Sequence, residues 1–173
     1  LSGLLDKFST QEILYICNKL RELFPIMAPI HRLALDIETC VSSHSLNRLR
    51  NLLNSAKNYD KLIFYAKNEL KNRNKIMTYS YSSTVERLLK NLSKRTLFIP
   101  EGRPNFEGRR FAKNLSSHHE IIFITDAEMS YFIEEVNCVL LGADWITKDY
   151  FFNKIGTKML VVLAKEFKKP VYI

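Results

Sequence analysis

The chain has 173 residues, 46% of them hydrophobic and 25% charged, which allows one sizeable core and is ordinary for a globular protein. Its formal net charge of +8 permits attraction to nucleic acid or to acidic proteins. The lysines and arginines are spread along the whole chain with no run of five or more, so nucleic-acid binding stays a minor hypothesis.

The longest apolar runs are far too short to cross a lipid bilayer, so we expect no membrane association. Cys17, Cys40 and Cys138 lie far apart and show no metal-ligand spacing. We therefore expect three small buried hydrophobic side chains, no metal site and no disulfide, as is typical of the reducing cytoplasm. No cofactor is predicted.

Residues 1–72 are predicted to form a short all-helical N-terminal segment. Apolar residues recur at helical spacing from Ile13 to Phe24, after Ser9 or Thr10 as an N-terminal cap. Pro25 and Pro29 mark a break, and further helical patterns cover residues 33–37, 46–53 and 62–70. No catalytic motif is visible in this segment.

Residues 73–173 are predicted to form a Rossmann-like α/β domain. Short apolar runs at 75–79, 96–99, 121–124, 138–141 and 171–173 read as strands, and amphipathic patterns between them at 84–92, 107–115, 127–135 and 155–167 read as helices. Five strands with four helical crossovers are typical of a doubly wound parallel sheet with flanking helices. The predicted fold class is therefore α/β.

Several polar residues in this domain have a sufficient structural explanation. Capping-box spacing occurs at Ser83 with Glu86 and at Thr125 with Glu128, which predicts two helix starts rather than catalytic groups. His118 and His119 lie in a Ser-Ser-His-His loop and are predicted to be solvated.

Polar side chains follow the predicted strands, at the sheet edge where parallel α/β domains bind their ligands. We predict that they gather into one anion-receptive site for a phosphorylated, hydroxyl-bearing molecule such as a sugar phosphate or nucleotide. Turns enrich these residue types in any case, and a capping role for Asp126 is an equal alternative. The residues are Ser80, Ser82, Arg103, Asp126, Asp144, Asn153 and Lys154.

Lys154 is the most informative of these residues. It belongs to an Asn-Lys-Ile-Gly-Thr stretch that precedes a strongly apolar helical pattern. A cation is disfavoured at a helix N-terminus, so an anion in front of the lysine is one explanation. A solvated lysine beside an asparagine cap is the other.

Five segments of the chain, taken in order, carry a resemblance to a known family. They are 78–85 (TYSYSSTV), 101–109 (EGRPNFEGR), 124–126 (ITD), 142–144 (GAD) and 153–157 (NKIGT). Together they resemble the translation initiation factor 2B alpha/beta/delta family, which includes methylthioribose-1-phosphate isomerase and ribose-1,5-bisphosphate isomerase. The resemblance covers about residues 75–173 and implies a Rossmann-like domain after a helical region. It also implies a homodimer or an assembly with related subunits, and an initiation factor 2 subunit as a partner.

The family that the chain resembles contains isomerases and noncatalytic regulatory subunits. The chain departs from the isomerases at two informative positions. Ser80 stands where those enzymes carry a cysteine, and a serine hydroxyl does not ionise at neutral pH without a dedicated base. Glu107 stands where the methylthioribose enzyme has a substrate-binding glutamine, and a carboxylate there would repel a phosphate. Asp144 matches the catalytic aspartate, and Asn153 with Lys154 matches the substrate-binding pair.

The main functional hypothesis is accordingly a noncatalytic regulatory or binding protein similar to the factor 2B subunits, with a sugar-phosphate or nucleotide pocket that includes Glu107. The alternative is an active aldose–ketose isomerase in which Asp144 acts as the general acid. The third hypothesis is a basic nucleic-acid-binding protein, which rests on net charge alone.

Overall fold

The computed structural model describes residues 8–25, 27–43 and 59–173. The helical pattern predicted at 46–53 lies outside these residues. Within the described part of the chain, no helix is both long and apolar enough to cross a bilayer. The described residues divide into two compact units, one comprising those up to Tyr59 with Asp144–Phe152, the other Asp60–Ala143 with Asn153–Ile173. The domain division predicted at residue 72 stays a prediction.

The first unit contains two helices and a short hairpin. Helix α1 (Thr10–Leu23) begins at a capping box in which Ser9 and Glu12 bond each other's backbone amides, as the sequence predicted for Ser9. Helix α2 (Ala28–Ser43) packs against α1, and Arg21 of α1 forms a bidentate ion pair with Glu38 of α2 at 2.6 Å. Strands β5 (Trp145–Ile146) and β6 (Phe151–Phe152) pair antiparallel; two residues each are too few to leave a periodic pattern in the sequence.

The second unit is a five-stranded parallel sheet with helices, as predicted. Its strands are β1 (Lys75–Thr78), β2 (Thr96–Pro100), β3 (Glu120–Ile124), β4 (Cys138–Leu140) and β7 (Val171–Tyr172), in the spatial order β3-β2-β1-β4-β7. The register aligns Ile76 of β1 with Leu97 of β2 and with Cys138 of β4. All neighbours are parallel, so every strand ends at the same edge of the sheet.

Five helices belong to this unit, except that Tyr59, the first residue of the first helix, is assigned to the other unit. They are α3 (Tyr59–Glu69), α4 (Ser83–Lys90), α5 (Glu107–Leu115), α6 (Met129–Phe132) and α7 (Thr157–Glu166). The predicted helices agree closely except near α6, where a nine-residue pattern yields only four helical residues.

The sheet is buried on both faces, as expected for parallel strands. On one face, alternate strand residues such as Ile76, Leu97 and Leu140 join a cluster with Leu89 of α4 and Phe111 of α5. On the other face, Phe98 packs against Phe132 of α6, with ring centroids 5.5 Å apart. Helix α5 approaches the sheet closely because Gly108 has no side chain: a Cβ there would lie 2.0 Å from the Pro100 carbonyl oxygen.

The capping box predicted at Ser83 and Glu86 is wrong. Ser82 is the N-cap of α4, and its hydroxyl accepts a hydrogen bond from the Val85 amide at 3.3 Å. The Glu86 carboxylate instead accepts from Lys90 at 2.6 Å and from Asn114 of α5 at 3.2 Å. At the other predicted box, Glu128 does accept hydrogen bonds from the Thr125 amide and hydroxyl.

The prediction of a solvated His119 is also wrong, because this side chain is 4% exposed. Its Nδ1 accepts a hydrogen bond from the Arg95 amide at 3.1 Å, so its Nε2 carries the proton and donates to the Leu89 carbonyl at 3.0 Å. Burial is the main cause that lowers the pKa of His119 from its ordinary value, with the nearby charges of His118 and Arg95 adding to it. A neutral imidazole is therefore part of the folded structure.

Because the folded state disfavours protonation of His119, the unfolded state binds the proton first as the pH falls. We therefore expect the free energy of unfolding to decrease when the pH drops from about 7 to about 5, through the ordinary histidine pKa. His119→Gln should show a smaller decrease over that range, measured by thermal unfolding. The matched control, His118→Gln, removes an exposed imidazole from the same loop and should change the pH dependence much less than His119→Gln, because burial is the larger cause of the shift. Equal slopes for wild type and His119→Gln would contradict the assignment.

Candidate functional site

The carboxyl ends of β1, β2 and β3 converge at one edge of the sheet, beside the point where the strand order changes direction between β1 and β4. In doubly wound sheets this is where ligands bind. Tyr79 directly follows β1, Glu101 follows β2, and Asp126 lies two residues after β3. This edge is the candidate site of the second unit.

Asp126 connects the ends of three strands. Its carboxylate accepts hydrogen bonds from the backbone amides of Gly102 at 2.9 Å and Arg103 at 2.8 Å, and from the Tyr79 hydroxyl at 3.3 Å. Backbone amides of this kind, at the start of a loop after a strand, bind anions in many α/β proteins. Here they bind an anion that belongs to the chain itself.

Tyr79 also belongs to the site, although the sequence analysis assigned no role to this residue. Its side chain is only 3% exposed, and a Cβ at Gly156 would lie 2.3 Å from its hydroxyl oxygen, so the glycine leaves the space that the ring fills. Burial, together with the charge and hydrogen bond of Asp126, raises the pKa of Tyr79 to about 12. Tyr79 is therefore a neutral hydrogen-bond donor, and its position directly after β1 was the available signal.

Lys154 and Glu107 form an ion pair at 2.5 Å, with side chains 12% and 27% exposed respectively. Glu107 lies in the first turn of α5, and Lys154 lies in the turn before α7. The anion in front of the lysine is thus an internal carboxylate. The second carboxylate oxygen of Glu107, Oε2, is buried and has no hydrogen-bond partner among the described residues.

The alternative explanation of Lys154, a solvated lysine beside an asparagine cap, is wrong on both counts. The ammonium is mostly buried, and the N-cap of α7 is Gly156, with a left-handed φ of 98°. Asn153 instead donates a hydrogen bond from Nδ2 to the Thr157 hydroxyl at 3.1 Å.

Ser80 and Ser82 differ in their surroundings. Ser80 is half-buried and has a φ of 66°, a left-handed conformation that is uncommon for a residue with a side chain and often occurs at functional sites. Ser82 already caps α4, and a Cβ at Gly142 would lie 2.6 Å from its hydroxyl oxygen. Ser82 therefore has a structural role at the β1–β4 switch point.

Arg103 is exposed, but its side chain is held in place. Its Nε donates to the Glu101 carboxylate at 2.9 Å, and its guanidinium lies over the Phe106 ring, 4.7 Å from the ring centroid. Its backbone amide is one of the two groups bound to Asp126.

Asp144 belongs to the first unit, whereas Lys154 belongs to the second. The Asp144 amide donates to the Phe152 carbonyl at 2.8 Å, next to the β5–β6 pair. Burial raises the pKa of its carboxyl group, which favours the protonated form. The neighbouring Trp145 ring packs against His31 at a centroid distance of 5.8 Å. The predicted meeting of Asp144 with Lys154 stays a prediction.

The second unit thus holds two contact sets at this edge: Asp126 with the Tyr79 hydroxyl and the Arg103 amide, and Glu107 with Lys154. The charge of Glu107 also contributes to the raised pKa of Tyr79. The arrangement supplies one ammonium, one guanidinium, a neutral phenol and two carboxylates, which suits the binding of a polar ligand. Cys138 is buried within the sheet, and burial raises the pKa of its thiol to about 11, so it supplies no nucleophilic thiolate. A separate groove of about 370 Å³ lies along α4, and none of the predicted ligand residues lines it.

The relatives of this sequence include proteins named as translation initiation factor subunits and proteins named as isomerases. It is 31% identical over 188 residues to a translation initiation factor eIF-2B subunit 2-like protein of Pyrococcus furiosus, which covers all of this chain and 66% of the relative. It is 35% identical over 104 residues to the ribose 1,5-bisphosphate isomerase of Archaeoglobus fulgidus, which covers 57% of this chain and 33% of that enzyme. The chain thus spans at most about two thirds of the length of these relatives.

Two solved structures share the fold. The translation initiation factor eIF-2B of Pyrococcus horikoshii OT3 superposes with a TM-score of 0.79 at 28% identity, over 98% of this chain and 66% of that one. The tetrameric eIF2B-beta2-delta2 complex of C. thermophilum gives a TM-score of 0.64 at 18% identity, over 95% of this chain and 63% of that one, which shows a common fold. A profile of the Initiation factor 2 subunit family matches residues 15–173. The chain therefore belongs to the Initiation factor 2 subunit family.

Proposed function

We propose that this chain is a noncatalytic subunit of its family that binds a phosphorylated, hydroxyl-bearing molecule, a sugar phosphate or a nucleotide, at the carboxyl ends of its parallel strands. The ligand contacts would come from Ser80, Arg103, Asp126, Asn153 and Lys154, with Glu107 at the same place. Binding rather than turnover is the expected activity.

The ion pair between Lys154 and Glu107 carries this proposal. A mostly buried ammonium is costly unless an anion compensates it, so the position of Lys154 indicates a site built around negative charge. Glu107 supplies that charge from within the chain and would have to move aside for a phosphate. Because the phosphate must first displace Glu107 from Lys154, we expect its binding to be weak and reversible. Tight binding of a substrate for catalysis would not be expected from such a site.

The serine at position 80 supports the absence of catalysis. The related isomerases carry a cysteine there, whose thiol ionises far more readily than a hydroxyl. Among the described contacts, no histidine, carboxylate or lysine is hydrogen-bonded to the Ser80 hydroxyl as an activating base. Without such a base, Ser80 offers a hydrogen-bonding group and no proton shuttle.

The binding proposal is tested by removing the competing carboxylate. Glu107→Gln should tighten the binding of ribose 1,5-bisphosphate by roughly tenfold, because a carboxylate next to a bound phosphate repels it. Lys154→Met should abolish binding in both backgrounds, as measured by titration calorimetry. Glu86→Gln breaks a comparable glutamate–lysine pair on α4 and should leave the affinity unchanged; wild-type affinity in Lys154→Met would refute the proposed site.

An aldose–ketose isomerase is the second candidate, favoured by the raised pKa of Asp144 and by the similarity to ribose 1,5-bisphosphate isomerase. Asp144 would protonate the carbonyl or ring oxygen as general acid, while Lys154 and Asn153 hold the phosphate. A protonated carboxyl group is what that role requires.

The two candidates give different results when the protein is incubated with ribose 1,5-bisphosphate or methylthioribose 1-phosphate. We expect no ketose product by NMR, because Ser80 cannot replace the thiolate that a cysteine would supply at this position. Ketose formation that disappears in Asp144→Asn would overturn the noncatalytic proposal in favour of the isomerase.

The assembly of the protein is a related proposal. Family members form complexes with related subunits, as in the eIF2B-beta2-delta2 tetramer, and we expect this chain to form a homodimer or to join a related subunit. An initiation factor 2 subunit is the further partner expected from the family. Light scattering at micromolar concentration should give a mass above that of one 20.2 kDa chain. A monomeric mass, together with no association with a co-expressed family subunit, would contradict assembly.

A further inference from the structure

Three arginines next to the start of α5 have their guanidinium groups over aromatic rings. The guanidinium carbons of Arg103 and Arg109 are 4.7 and 4.4 Å from the centroid of the Phe106 ring. That of Arg110 is 4.8 Å from the centroid of the Tyr81 ring. A cation–π contact of this kind restricts the position of a guanidinium without using any of its N–H donors in a hydrogen bond to a carboxylate.

The Tyr81 ring beneath Arg110 is itself anchored. Tyr81 packs edge-on against the buried Phe111, with centroids 5.8 Å apart and planes at 82°. Burial together with hydrogen bonding to Glu86 raises the pKa of Tyr81, so its hydroxyl stays neutral and bonded to the carboxylate. Arg110 therefore lies over a ring that packs against the folded core.

Arg109 and Arg110 have no carboxylate partner. Neither guanidinium makes a hydrogen bond or an ion pair within the part of the chain that the structure describes, and both side chains are exposed. Each presents a planar fork of five N–H donors, which matches a carboxylate bidentately. Arg103 differs because Glu101 already occupies its Nε.

The surrounding charge is of one sign. Helices α4 and α5 contain only two carboxylates, Glu86 and Glu107, and each is largely buried and paired with a lysine. The exposed charged residues of the two helices are all cationic, and Lys113 lies one helical turn from Arg109 and Arg110. The groove of about 370 Å³ runs beside them, lined by Tyr81, Ser83, Glu86, Arg87, Lys90 and Asn91.

We propose that Arg109, Arg110 and Lys113, named here the arginine face, bind an acidic segment of a partner protein, rich in aspartate and glutamate. Carboxylates match the open guanidinium forks, and the groove offers room for a short extended segment alongside them. RNA is disfavoured because guanidiniums already lie over the Phe106 and Tyr81 rings, which removes the open aromatic faces on which bases stack. None of these three residues is among the proposed ligand contacts.

The test uses a fluorescent peptide of alternating aspartate and glutamate, with binding followed by anisotropy at low ionic strength. Arg109→Gln with Arg110→Gln should weaken binding by about tenfold. The matched control, Lys158→Gln with Lys165→Gln, removes two exposed cations from α7 and should weaken it by less than about twofold, because exposed charges act weakly beyond the screening length. Equal losses in the two double variants would overturn the proposal.

A second double variant separates the contribution of the planar guanidinium donors from that of the positive charge. Arg109→Lys with Arg110→Lys keeps both charges but loses the planar donors, so binding should weaken by at least about threefold. Full binding by the lysine variant, or tighter binding of a single-stranded RNA than of the peptide, would overturn the proposal. Lysine is tolerated at exposed helix positions, so the lysine variant tests the proposal even if the glutamine variant unfolds.

Discussion

The pairing of β1 with β4 in the middle of a parallel sheet determines where the functional groups of this chain lie. Because both faces of the sheet are covered, the strands can present polar side chains only at their ends. Because all neighbours are parallel, those ends meet at one edge, and the strand order reverses there. Tyr79, Asp126, Glu107 and Lys154 are neighbours for that reason, although they are distant in sequence.

At this edge the chain satisfies its own anion-binding groups. The amides of Gly102 and Arg103 bind Asp126, and the ammonium of Lys154 binds Glu107. Internal pairing of this kind stabilises the apo protein, since an uncompensated buried charge is costly. Under the proposed function, an incoming phosphate would have to compete with this covalently attached carboxylate. Ligand affinity and the stability of the empty site would then be opposed.

Two surfaces of the second unit present positive charge in different ways. Lys154 is buried against a carboxylate at the strand ends, whereas Arg109 and Arg110 are exposed and held by aromatic rings rather than by anions. Under the proposed function, the first arrangement would admit small ligands that displace Glu107. The second would offer its donors to a partner whose carboxylates arrive from outside. Net charge alone could not distinguish these two arrangements.

The amino-acid sequence by itself determined the α/β class, the five parallel strands and the bounds of most helices, because periodicity and capping are local properties recorded within a few residues. It also indicated Lys154 as an unusual cation. Only the tertiary structure decided which groups meet: Lys154 with Glu107 and Tyr79 with Asp126, each pair 47 residues apart. The same holds for His119, whose burial depends on Arg95 and Leu89 from other elements. Contacts between distant segments depend on how the strands are ordered and covered, and no local pattern carries that information.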